Sequence, residues 1–153
     1  MKMRFGIFCA AAVSMILLMN CKKEEEKSTV KESSATTTSH NDGMTCGTCH
    51  KTEGTGSGIF VTGGTVYDAS GTVTVAGAKV KFYTAVNGGG TLLKTLVSDQ
   101  AGNFYTTDAF ALAGSYVVVE SSAGTPAPMN MVLDATMGNC NSCHGDGNRV
   151  YTE

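Results

Sequence analysis

Between Ile59 and Gly124 apolar and polar positions alternate in short runs broken by turn residues. In Lys79–Tyr83, Val80 and Phe82 fall on one side and Lys79, Lys81 and Tyr83 on the other, the period of a strand with one face in a core. "GGTVYDASG", "GAKVKFYTA", "TLLKTLVSDQAGNFYTT" and "AGSYVVVESSAG" read as strands separated by Gly, Asp and Asn turns. "SDQAGNFY" predicts a hairpin turn feeding a strand, and "SYVVVE" is apolar enough to be a central strand. Several short strands at this spacing predict a mainly β chain built on a β-sandwich. Further on, Met129, Met131 and Leu133 keep the alternation, which fits a last strand packed on that sandwich.

The two ends follow other patterns. Residues 7–19 are an apolar run behind Lys2 and Arg4, too short to span a bilayer and of the length of a signal-peptide core. "LMNC" places Cys21 directly after it. This end resembles a bacterial lipoprotein signal. The resemblance implies that residues 1–20 are removed, that Cys21 becomes the lipidated first residue, and that a lipid anchor holds the chain to a membrane. A plain secretory peptide with an incidental cysteine is the other reading. Residues 21–43 run from "KKEEEK" into a Ser/Thr-rich stretch with no apolar period, and read as a disordered tether. The acidic cluster behind Cys21 resembles signals that send lipoproteins to the outer membrane of some Gram-negative bacteria. That implies a periplasmic or cell-surface location; a solvated spacer is the alternative.

The central stretch, 59–124, resembles the carboxypeptidase regulatory-like, transthyretin-like domains of secreted bacterial proteins. "GTVYDASG", "AGAKVKFY", "SDQAGNFYT" and "AGSYVVVESSAG" carry the likeness. It implies an Ig-like or transthyretin-like sandwich, serving as spacer, scaffold or adhesion module. So short a stretch makes a small core of modest stability.

Composition narrows the function classes. A formal net charge of −2, with no basic run beyond Lys22–Lys23, gives no sign of nucleic-acid binding. No P-loop, paired-carboxylate or Ser-His-Asp pattern is present. The chemistry sits in the cysteines. Cys9 belongs to the signal and Cys21 to the lipid site; the other four are Cys46, Cys49, Cys140 and Cys143, in "CGTCH" and "CNSCH". Each is C-x-x-C-H, the pattern of covalent c-type haem attachment. The two thiols add across the porphyrin vinyl groups, and the adjoining His50 or His144 becomes the proximal ligand of the iron. Two motifs in an exported chain, using every remaining thiol, predict two haem c groups. A four-thiolate zinc ribbon also fits C-x-x-C twice over, but leaves both histidines unexplained. Two local disulfides or redox-active thiols are a further alternative, though no βαβ pattern surrounds either pair.

Histidine is scarce: His40, His50 and His144 are all there are. His40 precedes Cys46 by six residues, an extended reach of about 20 Å, and is a candidate distal ligand for either haem. The remaining haem then takes a methionine, a weaker ligand, or none. Met129 and Met131 in "PAPMNM", stiffened by Pro126 and Pro128, are candidate distal ligands, with core packing as their other role. Met44 and Met137 also flank the motifs. Arg149 and Tyr151 are placed either to bond haem propionates or in a solvated tail. Only residues 145–153 follow the second motif, with no methionine, so neither motif belongs to an ordinary small cytochrome c fold.

The expected organisation is therefore a signal peptide (1–20), a tether (21–43), a first haem-binding segment (44–58), a sandwich (59–124) and a second haem-binding segment (125–153). Neither haem segment can enclose a porphyrin alone, so haem edges stay exposed and suit exchange with redox partner proteins or haem-to-haem self-association. This reads as an electron-transfer protein rather than an enzyme. Two alternatives stand beside it: a haem protein with one open iron that binds a small molecule, and a metal-stabilised cell-surface binding module.

Overall fold

The structure is a computed structural model and describes residues 31–152. The expected signal peptide, Cys21 and the tether as far as residue 30 lie outside the described residues. The described chain forms seven strands: β1 (Thr62–Tyr67), β2 (Lys79–Tyr83), β3 (Leu92–Val97), β4 (Asn103–Thr106), β5 (Tyr116–Glu120), β6 (Pro126–Pro128) and β7 (Val150–Tyr151). They make two sheets, ordered β4-β1-β7 and β3-β2-β5-β6. Among the described residues helix is confined to single turns: α1 (Cys140–Cys143) and 3₁₀ turns at Cys46–Thr48 and Val86–Gly88. The mainly β, two-sheet architecture expected from the strand pattern is observed.

Alternation dictates what fills the space between the sheets. Val80 and Phe82 of β2 are fully buried while Lys79 is exposed. Val66, Leu96, Phe104, Val117, Val119, Leu112 and Leu133 join them in one core. The apolar β5 is central, between β2 and β6, as its composition predicts. Lys81 of β2 reaches Glu120 of β5 with an Nζ–Oε2 distance of 2.6 Å, and this contact raises the lysine pKa.

Three expectations are corrected. First, "SDQAGNFY" is not a hairpin between partners. β3 pairs with β2 and β4 pairs with β1, so the turn carries the chain from one sheet to the other. Asp99, fully buried, holds the turn by accepting from the backbone N–H groups of Ala101 and Asn103. Second, residues 31–43 are not a free tether. Ser33 N–H donates to the Tyr105 carbonyl, Thr107 N–H to that of Lys31, and Ser39 N–H to the Asp99 carboxylate. The edge of β4 offers unpaired backbone groups, and this segment satisfies them. Third, the sandwich does not end at residue 124. β6, buried Leu133 and β7 all come from the expected second haem segment.

That last correction places the site. One edge of β1 pairs with β4; the segment around the second C-x-x-C-H covers the other. Gly63 N–H donates to the Gly138 carbonyl at 2.9 Å, and Thr65 N–H to Asn141 Oδ1 at 3.0 Å. Farther along, β7 pairs in parallel, Val66 with Val150 and Tyr67 with Tyr151. The tail after the second motif is thus a strand, not a solvated extension.

Candidate functional site

Each C-x-x-C-H motif folds into a single helical turn, 3₁₀ at Cys46–Thr48 and α at Cys140–Cys143, closed in the same way. The histidine N–H reaches back to the carbonyl of the first cysteine, 3.0 Å from His50 to Cys46 and 2.9 Å from His144 to Cys140. In each turn the first cysteine is half-buried and the second exposed, and all four are free thiols. Burial pushes the Cys46 thiol above its usual pKa and the Cys140 thiol up to about 11.

The histidines are held alike. His50 Nδ1 lies 2.9 Å from the Ser57 carbonyl oxygen, and His144 Nδ1 lies 2.9 Å from that of Asn148. A carbonyl only accepts, so each Nδ1 carries the proton. In the neutral ring that leaves Nε2 with its lone pair free, the form that binds a metal ion. His50 is further fixed by stacking on Phe60, 3.9 Å between centroids and 8° between planes, and Phe60 stacks on Tyr105 of β4 at 4.7 Å. The loop that supplies Asn148 is anchored by Arg149, whose Nη1 donates to the Gly71 carbonyl and whose guanidinium lies 4.3 Å from the centre of the Tyr67 ring. Arg149 also pairs with Asp146.

Strand β1 brings the turns together. Successive strand residues face opposite ways, and Gly63 and Gly64 each leave one face open. A Cβ at Gly63 would meet Cys46 Sγ and the Phe60 ring at 3.4 Å. A Cβ at Gly64 would come within 2.8 Å of Cys140 Cβ and 2.9 Å of the Phe104 ring. The first motif therefore lies over the outer face of β1 and the second against its core face. Glycine inside a strand pattern marks such close backbone approach, so "TGGTVY" carries a legible signal of this packing.

A buried polar cluster ties the turns to each other. Thr65 Oγ1 donates to Asn103 Oδ1 and accepts from Gly43 N–H and Asn141 Nδ2, using its full capacity. Asn141 Nδ2 also donates to the Met44 carbonyl at 2.9 Å. Asn103 Nδ2 reaches Ser39 Oγ and the His40 carbonyl. Gly47 N–H donates to Asn139 Oδ1 at 2.7 Å. Asn103, Asn139 and Asn141 are defining residues of no motif legible in the sequence. Two asparagines bracketing Cys140 in "GNCNSCH" were the available signal.

The candidate distal ligands divide between the motifs. His40 is brought beside His50, 6.0 Å between ring centroids, rather than to His144. Met129, Met131 and Met137 line an apolar cavity of about 220 Å³ together with Cys140, Cys143 and His144. Val80, Phe104, Val117, Val119 and Val150 close it from the sheets, and Arg149 and Tyr151 also line it. Met129 and Met137 pack on the core, whereas Met131 is 47% exposed. Met44 is exposed.

These residues fit a covalently held haem at each turn: two thiols, and one imidazole with Nε2 free. The cavity, at about 220 Å³, is smaller than the range of roughly 300–1,000 Å³ usual for enclosed ligands, so it would not enclose a whole porphyrin. Among the described residues, no three His, Cys, Asp or Glu side chains are grouped to hold one metal ion. Among the described residues, too, no helix is long and apolar enough to cross a membrane.

No protein family, curated protein or solved structure matches the chain.

Proposed function

We propose that this chain is a di-haem c-type cytochrome that carries electrons at a bacterial cell envelope, anchored through lipid on Cys21. One observation carries the reading. Two C-x-x-C-H turns, far apart in sequence, share one closing hydrogen bond and one histidine arrangement, with each Nδ1 on a backbone carbonyl and each Nε2 free. A disulfide or a metal site of four thiolates has no use for that imidazole.

Haem c, when bound, supplies one-electron exchange at its iron. Cys46 and Cys49 hold one group covalently and Cys140 and Cys143 the other. His50 and His144 present Nε2 to the irons, and the Ser57 and Asn148 carbonyls keep those rings from turning. The apolar walls around the second turn would keep water from one side of a haem held there. Cys49 and Cys143 are exposed, so haems held by them would be accessible to redox partner proteins. The sandwich acts as a scaffold of the kind its carboxypeptidase regulatory-like resemblance implies, and the lipid keeps it at the outer membrane on the periplasmic or surface side.

Full-length protein made in a bacterium that matures c-type cytochromes tests this. A denaturing gel stained for haem peroxidase activity and an intact mass should show two covalent haems and a lipid. Cys143→Ala should remove one haem and leave the other. Colourless exported protein with unmodified thiols ends the proposal.

A second reading has its own support. His40 stands beside His50, and His144 shares its cavity with methionines instead. If no methionine closes that iron, the site takes a small molecule such as nitric oxide or peroxide. A shift of the reduced spectrum with carbon monoxide favours this; an unchanged spectrum removes it.

A further inference from the structure

Gly47 directly follows Cys46, and Asn139 directly precedes Cys140. The 2.7 Å hydrogen bond from Gly47 N–H to Asn139 Oδ1 is thus the one non-covalent step in a bonded route between the two half-buried sulfurs. The contact is built from both sides. Gly63 N–H holds the Gly138 carbonyl, and Gly63 bridges to Asn139 along β1. Asn141 Nδ2 holds the Met44 carbonyl, just upstream of Cys46. A Cβ at position 47 would fall 2.2 Å from Asn139 Oδ1, so any larger residue there displaces the Asn139 side chain and breaks this contact.

We propose that Asn139 couples the two haem-attachment turns: its amide oxygen fixes their spacing and completes the bonded path by which an electron passes between them. The inference rests on the di-haem reading above. The step is one electron leaving a ferrous haem at one turn and reducing a ferric haem at the other, with no bond broken and no proton moved. A hydrogen bond transmits electronic coupling far better than a gap through space, because coupling decays more steeply across vacuum than along bonded atoms. Asn139 is a positioning residue in this scheme and touches neither iron.

Full-length, haem-loaded protein tests it through N139L, N139D and G47A. Leucine matches asparagine in shape and lacks the acceptor; aspartate keeps an oxygen for Gly47 N–H. After single-electron photoreduction, the two haem spectra report how fast the electron equilibrates between sites. N139L should slow that equilibration several-fold with both haems attached, and N139D should restore it. G47A breaks the same contact from the other turn and should match N139L, which keeps the test open if N139L does not fold. Wild-type rates in N139L or G47A, or a slow N139D, overturn the proposal. A wild-type protein without haem overturns the di-haem reading instead, so the two failures are distinguishable.

Discussion

Gly64 and Cys140 are in direct contact across the core face of β1: a methyl group on Gly64 would come within 2.8 Å of the cysteine Cβ. Phe104, fully buried, closes the same space at 2.9 Å. Gly64→Ala should therefore destabilise the fold by about 1–3 kcal/mol, the usual cost of overpacking, and lower haem loading at Cys140–Cys143 while sparing Cys46–Cys49. Thermal unfolding and intact mass report both effects. Full loading of the second site in this variant would mean that the turn does not dock on β1 as described.

Asn141 is buried and holds β1, Thr65 and the Met44 carbonyl together. Asn141→Leu leaves Thr65 N–H and the Met44 carbonyl without these partners. Each unsatisfied buried group costs about 1–3 kcal/mol. Residues 31–44 should become sensitive to protease before the sandwich unfolds, a two-step pattern that limited digestion followed by mass spectrometry resolves.

Cys140 gives the haem-free protein a pH signature. Thiolate is the reactive form, and burial holds this thiol up to about 11. Exposed Cys49 and Cys143 should alkylate first at pH 8. Cys140 should lag and then speed up about tenfold per pH unit as its thiolate fraction grows. Because the fold favours the neutral thiol, stability falls as pH rises from about 8.5, the ordinary thiol value, toward 11, and then levels off. Residue-by-residue alkylation rates and a chemical-denaturation series across that range provide the check.

His40 and the cavity methionines should separate the two haems. His40→Ala should open the iron at His50 to carbon monoxide and leave the other spectrum unchanged. Met131→His should lower the potential of the haem at His144, since a second imidazole stabilises the ferric state relative to methionine. A redox titration followed at both absorption bands distinguishes these outcomes. Equal effects of His40→Ala on both haems would contradict the placement of His40 at the first turn.

Local pattern determined much of this protein. Two-residue alternation in Lys79–Tyr83 marks a strand with one buried face wherever the strand ends up, because the pleat alone sets that period. C-x-x-C-H was legible as a candidate haem-attachment motif because its sulfurs and imidazole are neighbours along the chain. Tertiary structure decided what pairs with what. "SDQAGNFY" has the composition of a hairpin turn, yet which sheet receives β4 depends on β1, far upstream. Residues 31–43 lack apolar period because they are fastened through backbone groups and short polar side chains, which leave no hydrophobic signature. The meeting of Cys46 and Cys140 on opposite faces of Gly63–Gly64 also lay beyond the pattern. A close approach depends on the positions of three distant segments at once, and no local rule carries that information.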